Sequence, residues 1–172
     1  MRVIGGVARG RPLKAKLPDT VRPTTDYARE AIFSMLESRG GLHDLVVADL
    51  YCGSGAMGIE AISRGARKVY FIDSDTACLA AARANLEPLQ LEAQAVYVRA
   101  TLPLWQAPSD LDLVLGDPPY GPLDLVTLLD GVGAQRIIIE NDRHMDAPEG
   151  WIVTKTKRYG TCLLYTSPSP RD

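Results

Sequence analysis

Asp117-Pro118-Pro119-Tyr120 follows directly on an apolar run at residues 111–115. These residue types, in this order, could handle an amino group. The run reads as a buried strand, and ligands of open parallel α/β sheets bind outside the carboxyl ends of such strands. Consecutive prolines fix two φ angles near −65° and remove two backbone donors, so the carbonyls of Asp117 and Pro118 project from a stiff turn as acceptors. An NH2 group attached to an aromatic ring is a weak nucleophile because its lone pair is delocalised. Acceptors on both of its hydrogens favour the pyramidal, attacking form: the Asp117 carboxylate could supply one and then remove the proton, and the Pro118 carbonyl the other. Tyr120 offers a ring on which a base could stack, worth roughly 1–3 kcal/mol. The bland alternative is a proline turn with Asp117 as a cap.

A second candidate site lies upstream. Gly53, Gly55 and Gly58 match the G-x-G-x-x-G pattern of a strand-to-helix loop that receives an adenosine cofactor, and Asp73 stands 20 residues after Gly53, where an acid can bind ribose hydroxyls. The pattern alone admits both a nicotinamide dinucleotide and S-adenosylmethionine. Asp49 favours the latter, because an acid before the glycines repels a pyrophosphate and attracts an ammonium, directly or through water.

The elements that must hold these residues alternate along the chain. A helix is expected from Thr24 or Thr25, with Ala28, Ala31, Ile32, Met35 and Leu36 on one face and Gly40-Gly41 ending it. Strands follow at 46–50, 68–72, 95–98, 111–115 and 136–140, with helices at 57–64, 76–86 and 123–129. That order predicts an α/β, Rossmann-like, mostly parallel sheet with helices on both faces. Residues 151–157 and 161–165 read as a closing antiparallel hairpin. The expected organisation is a basic β arm at 1–21, a catalytic domain at 22–165, and a polar, proline-rich tail at 166–172 that is disordered and fits a non-native ending.

The 172 residues suit one domain, and 46% apolar with 23% charged residues is ordinary for a soluble protein. No stretch approaches the roughly 18 apolar residues of a membrane span, and the start lacks the apolar core of a signal peptide, so a cytoplasmic location is expected. Cys52, Cys78 and Cys162 show no paired spacing, and His43 and His144 stand apart, so neither a disulfide framework nor a metal site is expected. Net charge is −2, yet the first 30 residues carry seven arginines and lysines against three acids. A basic arm on an acidic body suggests phosphate binding, against the simpler reading of a solvated terminus.

Ile4-Gly5-Gly6, Arg9-Gly10-Arg11, Arg22-Pro23-Thr24-Thr25-Asp26, Arg29-Glu30 and Ser63-Arg64-Gly65-Ala66 accompany these motifs. With them the chain resembles, from residue 1 to about 164, the bacterial small-subunit ribosomal RNA guanine-N2 methyltransferases. The resemblance implies methyl transfer from S-adenosylmethionine to the exocyclic N2 of a guanine in 16S rRNA, within a partly assembled small subunit; separately, a monomer is expected. It casts Asp117, Pro118 and Tyr120 as catalytic. Asp49, Gly53, Gly55, Gly58, Asp73 and Thr101 become cofactor contacts together with Thr25 and Asp26, although helix capping competes for Thr25. Arg2, Arg9, Arg11, Arg22 and Pro119 become substrate contacts. Ala100 departs from the pattern, standing where relatives often carry a polar residue facing the adenine. Adenine and cytosine methyltransferases share the Asp-Pro-Pro-Tyr motif, so a DNA adenine-N6 methyltransferase is one alternative and a non-catalytic RNA-binding assembly factor another.

Overall fold

The computed structural model describes residues 1–17, 25–119, 124–130, 132–141, 155–159 and 162–166. Five strands, β1 (Val46–Leu50), β2 (Lys68–Asp73), β3 (Ala95–Arg99), β4 (Leu113–Gly116) and β5 (Arg136–Asn141), pair in parallel. Two more, β6 (Lys155–Tyr159) and β7 (Cys162–Thr166), pair antiparallel, and β7 lies antiparallel against β5. The strand order is β3-β2-β1-β4-β5-β7-β6. The order in which strands are added switches sides between the parallel neighbours β1 and β4, which register Leu50 opposite Gly116.

Helices α1 (Asp26–Glu37), α2 (Ala56–Ser63), α3 (Thr76–Leu86) and α4 (Leu125–Leu129) complete the described layers. Strand pleating divides the core. Val47, Val69, Phe71, Leu113 and Leu115 pack in one cluster with α1, α2 and α3, whereas Val46, Ala48, Leu50, Ile72 and Val114 pack in a second with α4. Every side chain of β1 is buried, as expected of a central parallel strand.

Several expected boundaries move for local reasons. The fourth strand starts at Leu113, because Asp112 spends its carboxylate on the Val46 N–H (2.8 Å) and its carbonyl on Gln135 and Arg136. The helix expected from 123 begins at Leu125, capped by Asp124 accepting from the Thr127 N–H (3.2 Å). Thr25 caps α1, its Oγ1 accepting from the Ala28 N–H (3.2 Å). The antiparallel pair expected at 151–157 and 161–165 falls at Lys155–Tyr159 and Cys162–Thr166, while 151–154, 160–161 and the tail from 167 lie outside the described residues.

The N-terminal residues fold as a tight loop against α2. Arg2 bridges Pro12, and Val3, Ala8 and Leu13 enter the first core cluster. Gly5 and Gly6, whose residue type suits an open, flexible arm, instead face α2. A Cβ on Gly6, whose φ is +73°, would lie 1.8 Å from the Ser63 carbonyl oxygen, and one on Gly5 would lie 2.4 Å from the Arg64 guanidinium. Gly10, with φ +82°, has nothing within 4 Å of a Cβ and faces open space.

Candidate active site

The strand tips gather three acids. Asp49 is the penultimate residue of β1, Asp73 ends β2, and Asp117 follows β4, its N–H donating to the Leu50 carbonyl (3.4 Å). The motif at 117–119 and the loop at 51–55 therefore leave the sheet side by side, at the switch point where such sheets bind ligands. Asp117 is half-buried, Pro118 buried and Pro119 exposed. Tyr120, like Arg22, lies outside the described residues.

The glycine loop is bound to its own protein at each glycine. The Gly53 N–H donates to Asp73 Oδ2 (3.1 Å), the Gly55 N–H to the Cys52 carbonyl (2.7 Å), and the Gly58 N–H to Asp49 Oδ2 (2.8 Å). Gly55 caps α2 with φ +75°, and a Cβ there would meet Ala82 at 2.7 Å. Gly58 is required for another reason: a Cβ would sit 2.4 Å from the Phe71 ring, so the glycine lets α2 lie on β2. Because these three amides are taken, the loop lacks their contribution to an anion cradle, and the buried Asp49 carboxylate beneath would oppose a pyrophosphate. This disfavours a dinucleotide and suits a cofactor with a cationic amino acid part.

Asp49 is 2% exposed. Burial pushes its carboxyl well above the ordinary range; the Gly58 N–H works against that shift, and the nearby charges of Asp117 and Asp73 add to it. Asp73 is half-buried and accepts from the Gly53 and Asp75 amides (3.1 and 2.9 Å), yet a carboxylate has about four acceptor positions, which leaves capacity for ribose hydroxyls. Cys52 in the loop is no nucleophile: burial and then the Asp49 and Asp73 charges push its thiol far up. The Cys78 thiol is pushed up to about 11 by burial, then by Asp73 and Asp75.

The remaining candidates are more dispersed. Thr101 is exposed just beyond β3, and the Ala100 N–H donates to the Asp73 carbonyl (3.0 Å), fixing that turn beside the ribose acid. Asp26 is exposed and pairs with Arg29 (2.6 Å). Arg2, Arg9 and Arg11 are exposed on the N-terminal loop, Arg11 reaching the Pro88 carbonyl (2.7 Å). Among the described residues no group of acids, cysteines and histidines is arranged to hold a metal ion, and no helix is long and apolar enough to cross a membrane.

Two contributors escape the sequence motifs. Asn85, 3% exposed near the end of α3, donates from Nδ2 to the Ser54 carbonyl (3.0 Å) and accepts at Oδ1 from the Ala15 N–H (2.8 Å), joining the glycine loop to the N-terminal segment. A lone asparagine on an otherwise apolar helix face is the signal that marks it. Tyr51 has φ +58°, a left-handed conformation that non-glycine residues adopt rarely and often at functional sites.

The family described as Conserved hypothetical protein 95 matches residues 1–166. YlbH of Bacillus subtilis is 34% identical over 179 residues, spanning 93% of this chain and 94% of its own. Ribosomal RNA small subunit methyltransferase D of Haemophilus influenzae is 29% identical over 174 residues, covering 93% of this chain and 89% of its own. Among solved structures, yhhF from Escherichia coli matches with a TM-score of 0.81 at 29% identity over 98% of this chain and 97% of that one. An RNA methyltransferase from Salinibacter ruber, solved with S-adenosyl-L-homocysteine, shares the fold at TM-score 0.67 and 17% identity over 88% and 95% of the two chains. The chain belongs to the Conserved hypothetical protein 95 family, the family of the small-subunit ribosomal RNA methyltransferase D proteins.

Proposed function

We propose that the protein transfers a methyl group from S-adenosylmethionine to the exocyclic N2 amine of one guanine in 16S rRNA, within a small-subunit particle. The observation that carries this reading is the emergence of Asp117-Pro118-Pro119 beside a glycine loop whose amides are already engaged and whose floor is acidic. Family membership and the relatives' names support the rRNA; the guanine and its N2 rest on the resemblance that the sequence motifs carry. When bound, the cofactor supplies an electrophilic methyl on a positively charged sulfur.

The protein's own groups do the rest. Asp73 would accept from the ribose hydroxyls, with Thr101 at the neighbouring strand end. Asp49 would favour the ammonium of the methionine part, with Thr25 and Asp26 as the further contacts that the resemblance implies. The Asp117 carboxylate and the Pro118 carbonyl take the two amine hydrogens, which directs the nitrogen lone pair at the methyl carbon. As the amine nitrogen takes up the methyl group, its surplus proton would pass to the Asp117 carboxylate and then to solvent. Tyr120 and Pro119 support the flipped base, at the unstacking cost that base-modifying enzymes meet. Holding both reactants in line accounts for much of the rate. In this reading residues 22–165 form the catalytic domain, closed by the antiparallel strand pair, and the segment 1–21 is the arm that meets the RNA.

Tritiated S-adenosylmethionine offered with unmethylated small-subunit particles, protein-free 16S rRNA and duplex DNA tests the proposal. Label recovered as N2-methylguanosine from a ribosomal substrate is the expected result. Label in N6-methyladenine would move the substrate to adenine, and particle binding without transfer would leave an assembly factor.

A further inference from the structure

The cleft between the N-terminal loop and α1 holds none of the groups that handle the target amine above. It measures about 340 Å3, with Arg2, Ile4 and Arg9 on one wall and Asp26, Tyr27 and Glu30 on the other. Its size is at the small end of ligand pockets, roughly 300–1,000 Å3. It therefore suits one nucleoside rather than a longer ligand.

Both walls are tied to one buried ion cluster. Arg29, fully buried, donates from Nη2 to the Arg2 carbonyl (2.8 Å) and to Asp26 Oδ1 (2.6 Å), and its Nη1 lies 3.8 Å from Glu60 Oε2. Among the described residues Arg29 Nε and Nη1 make no hydrogen bond, and the guanidinium charge is met by Asp26 and Glu60. Glu60, also fully buried, accepts from the Ile4 N–H (2.8 Å) and the Gly5 N–H (2.7 Å), and Arg64 Nε donates to it (2.8 Å). Arg29 thus offsets Asp26, and Arg64 offsets Glu60. What faces solvent is Arg2 and Arg9, the Tyr27 ring at 69% exposure, Glu30, and Asp26, whose charge Arg29 meets from beneath.

A large exposed ring on one wall and two arginines on the other, with both walls anchored before any ligand arrives, have the chemistry of a single-stranded RNA subsite: a face for a base and cations for the phosphates beside it. Glu30 on the rim disfavours a doubly charged terminal phosphate and tolerates the singly charged phosphodiester. The anchoring contacts, Glu60 and Ser63, lie on the half of α2 remote from the glycine loop, and the cleft lining includes none of Asp49, Asp73 and Asp117. We propose that this cleft holds one unpaired nucleotide of the substrate RNA other than the methylated one, its base stacked on Tyr27 and its flanking phosphates on Arg2 and Arg9. The proposal rests on the reading that the substrate is RNA.

Fluorescence anisotropy with a labelled single-stranded RNA oligonucleotide tests it, alongside calorimetry with S-adenosylhomocysteine. Tyr27→Ala is expected to weaken RNA binding by about five- to a hundredfold, Tyr27→Phe to retain it, and both to bind S-adenosylhomocysteine as the wild type does. Wild-type RNA affinity in Tyr27→Ala, or equal losses for RNA and S-adenosylhomocysteine, would overturn the subsite. If the wild type labels no ribosomal substrate while Tyr27→Ala still loses RNA affinity, the methylation reading fails and the cleft stands.

Discussion

Asp117 combines half-burial, a position just past a strand end and an N–H held by the neighbouring strand, so its main chain is fixed at the strand tips. Asp117→Ala is expected to lower methyl transfer by about 10²–10³-fold or more, the scale for loss of a placed polar group, while S-adenosylhomocysteine still binds. Turnover equal to wild type would remove Asp117 from the chemistry. Asp49 gives a pH test. Its folded pKa is raised, so the native protein holds more protons than the unfolded chain, and stability falls as pH climbs from the ordinary carboxylate range toward the raised value. Asp49→Asn keeps an acceptor for the Gly58 N–H without the charge. In urea titrations of the cofactor-free protein, the variant should match the wild type near pH 4 and exceed it progressively toward pH 8; parallel curves would show that the buried charge costs nothing. Residue types and spacing make Asp49, Asp73 and Asp117 legible in sequence. Arg29 is different, since its burial depends on Asp26, Glu60 and the Arg2 carbonyl arriving from three separate segments.

At the scale of elements, the alternation of strands and helices is readable because every central strand is a short apolar run between turn residues. Boundaries are less so: Asp112 and Asp124 decide where β4 and α4 start through hydrogen bonds that no periodicity encodes. Asn85 shows the same limit, because its two partners lie 31 and 70 residues away. Asn85→Ala leaves the Ser54 carbonyl and the Ala15 N–H without that partner, at a cost of about 1–3 kcal/mol by chemical denaturation, and should weaken cofactor binding as the loop loosens. Gly58→Ala acts by collision. Its methyl would enter the Phe71 ring, and overpacking of this kind costs about 1–3 kcal/mol as α2 lifts from β2, measurable as a lower denaturation midpoint.

Across the whole molecule, charge is segregated: an acidic body carries a basic first segment, and that segment is fixed to α2 by Glu60 and Ser63. Sequence composition reveals the segregation and only the structure reveals the anchoring, since Gly5 and Gly6, whose type suits a flexible arm, are in fact close-packing positions. RNA affinity should therefore fall steeply with salt. Arg11→Gln combined with Lys14→Gln is expected to flatten the slope of log K against log salt by about 0.7 for each phosphate no longer neutralised, with the transfer rate at saturating RNA unchanged. An unaltered slope would move the RNA footprint off this segment. The hydrogen bonds that close the glycine loop on itself also bear on the time course of ligand capture. Gly53, Gly55 and Gly58 are tied down by Asp73, Cys52 and Asp49 without any ligand, so an incoming cofactor meets a finished surface. Its association should be one exponential step whose rate rises linearly with concentration, and the amide protons of those glycines should exchange slowly before it arrives as well as after.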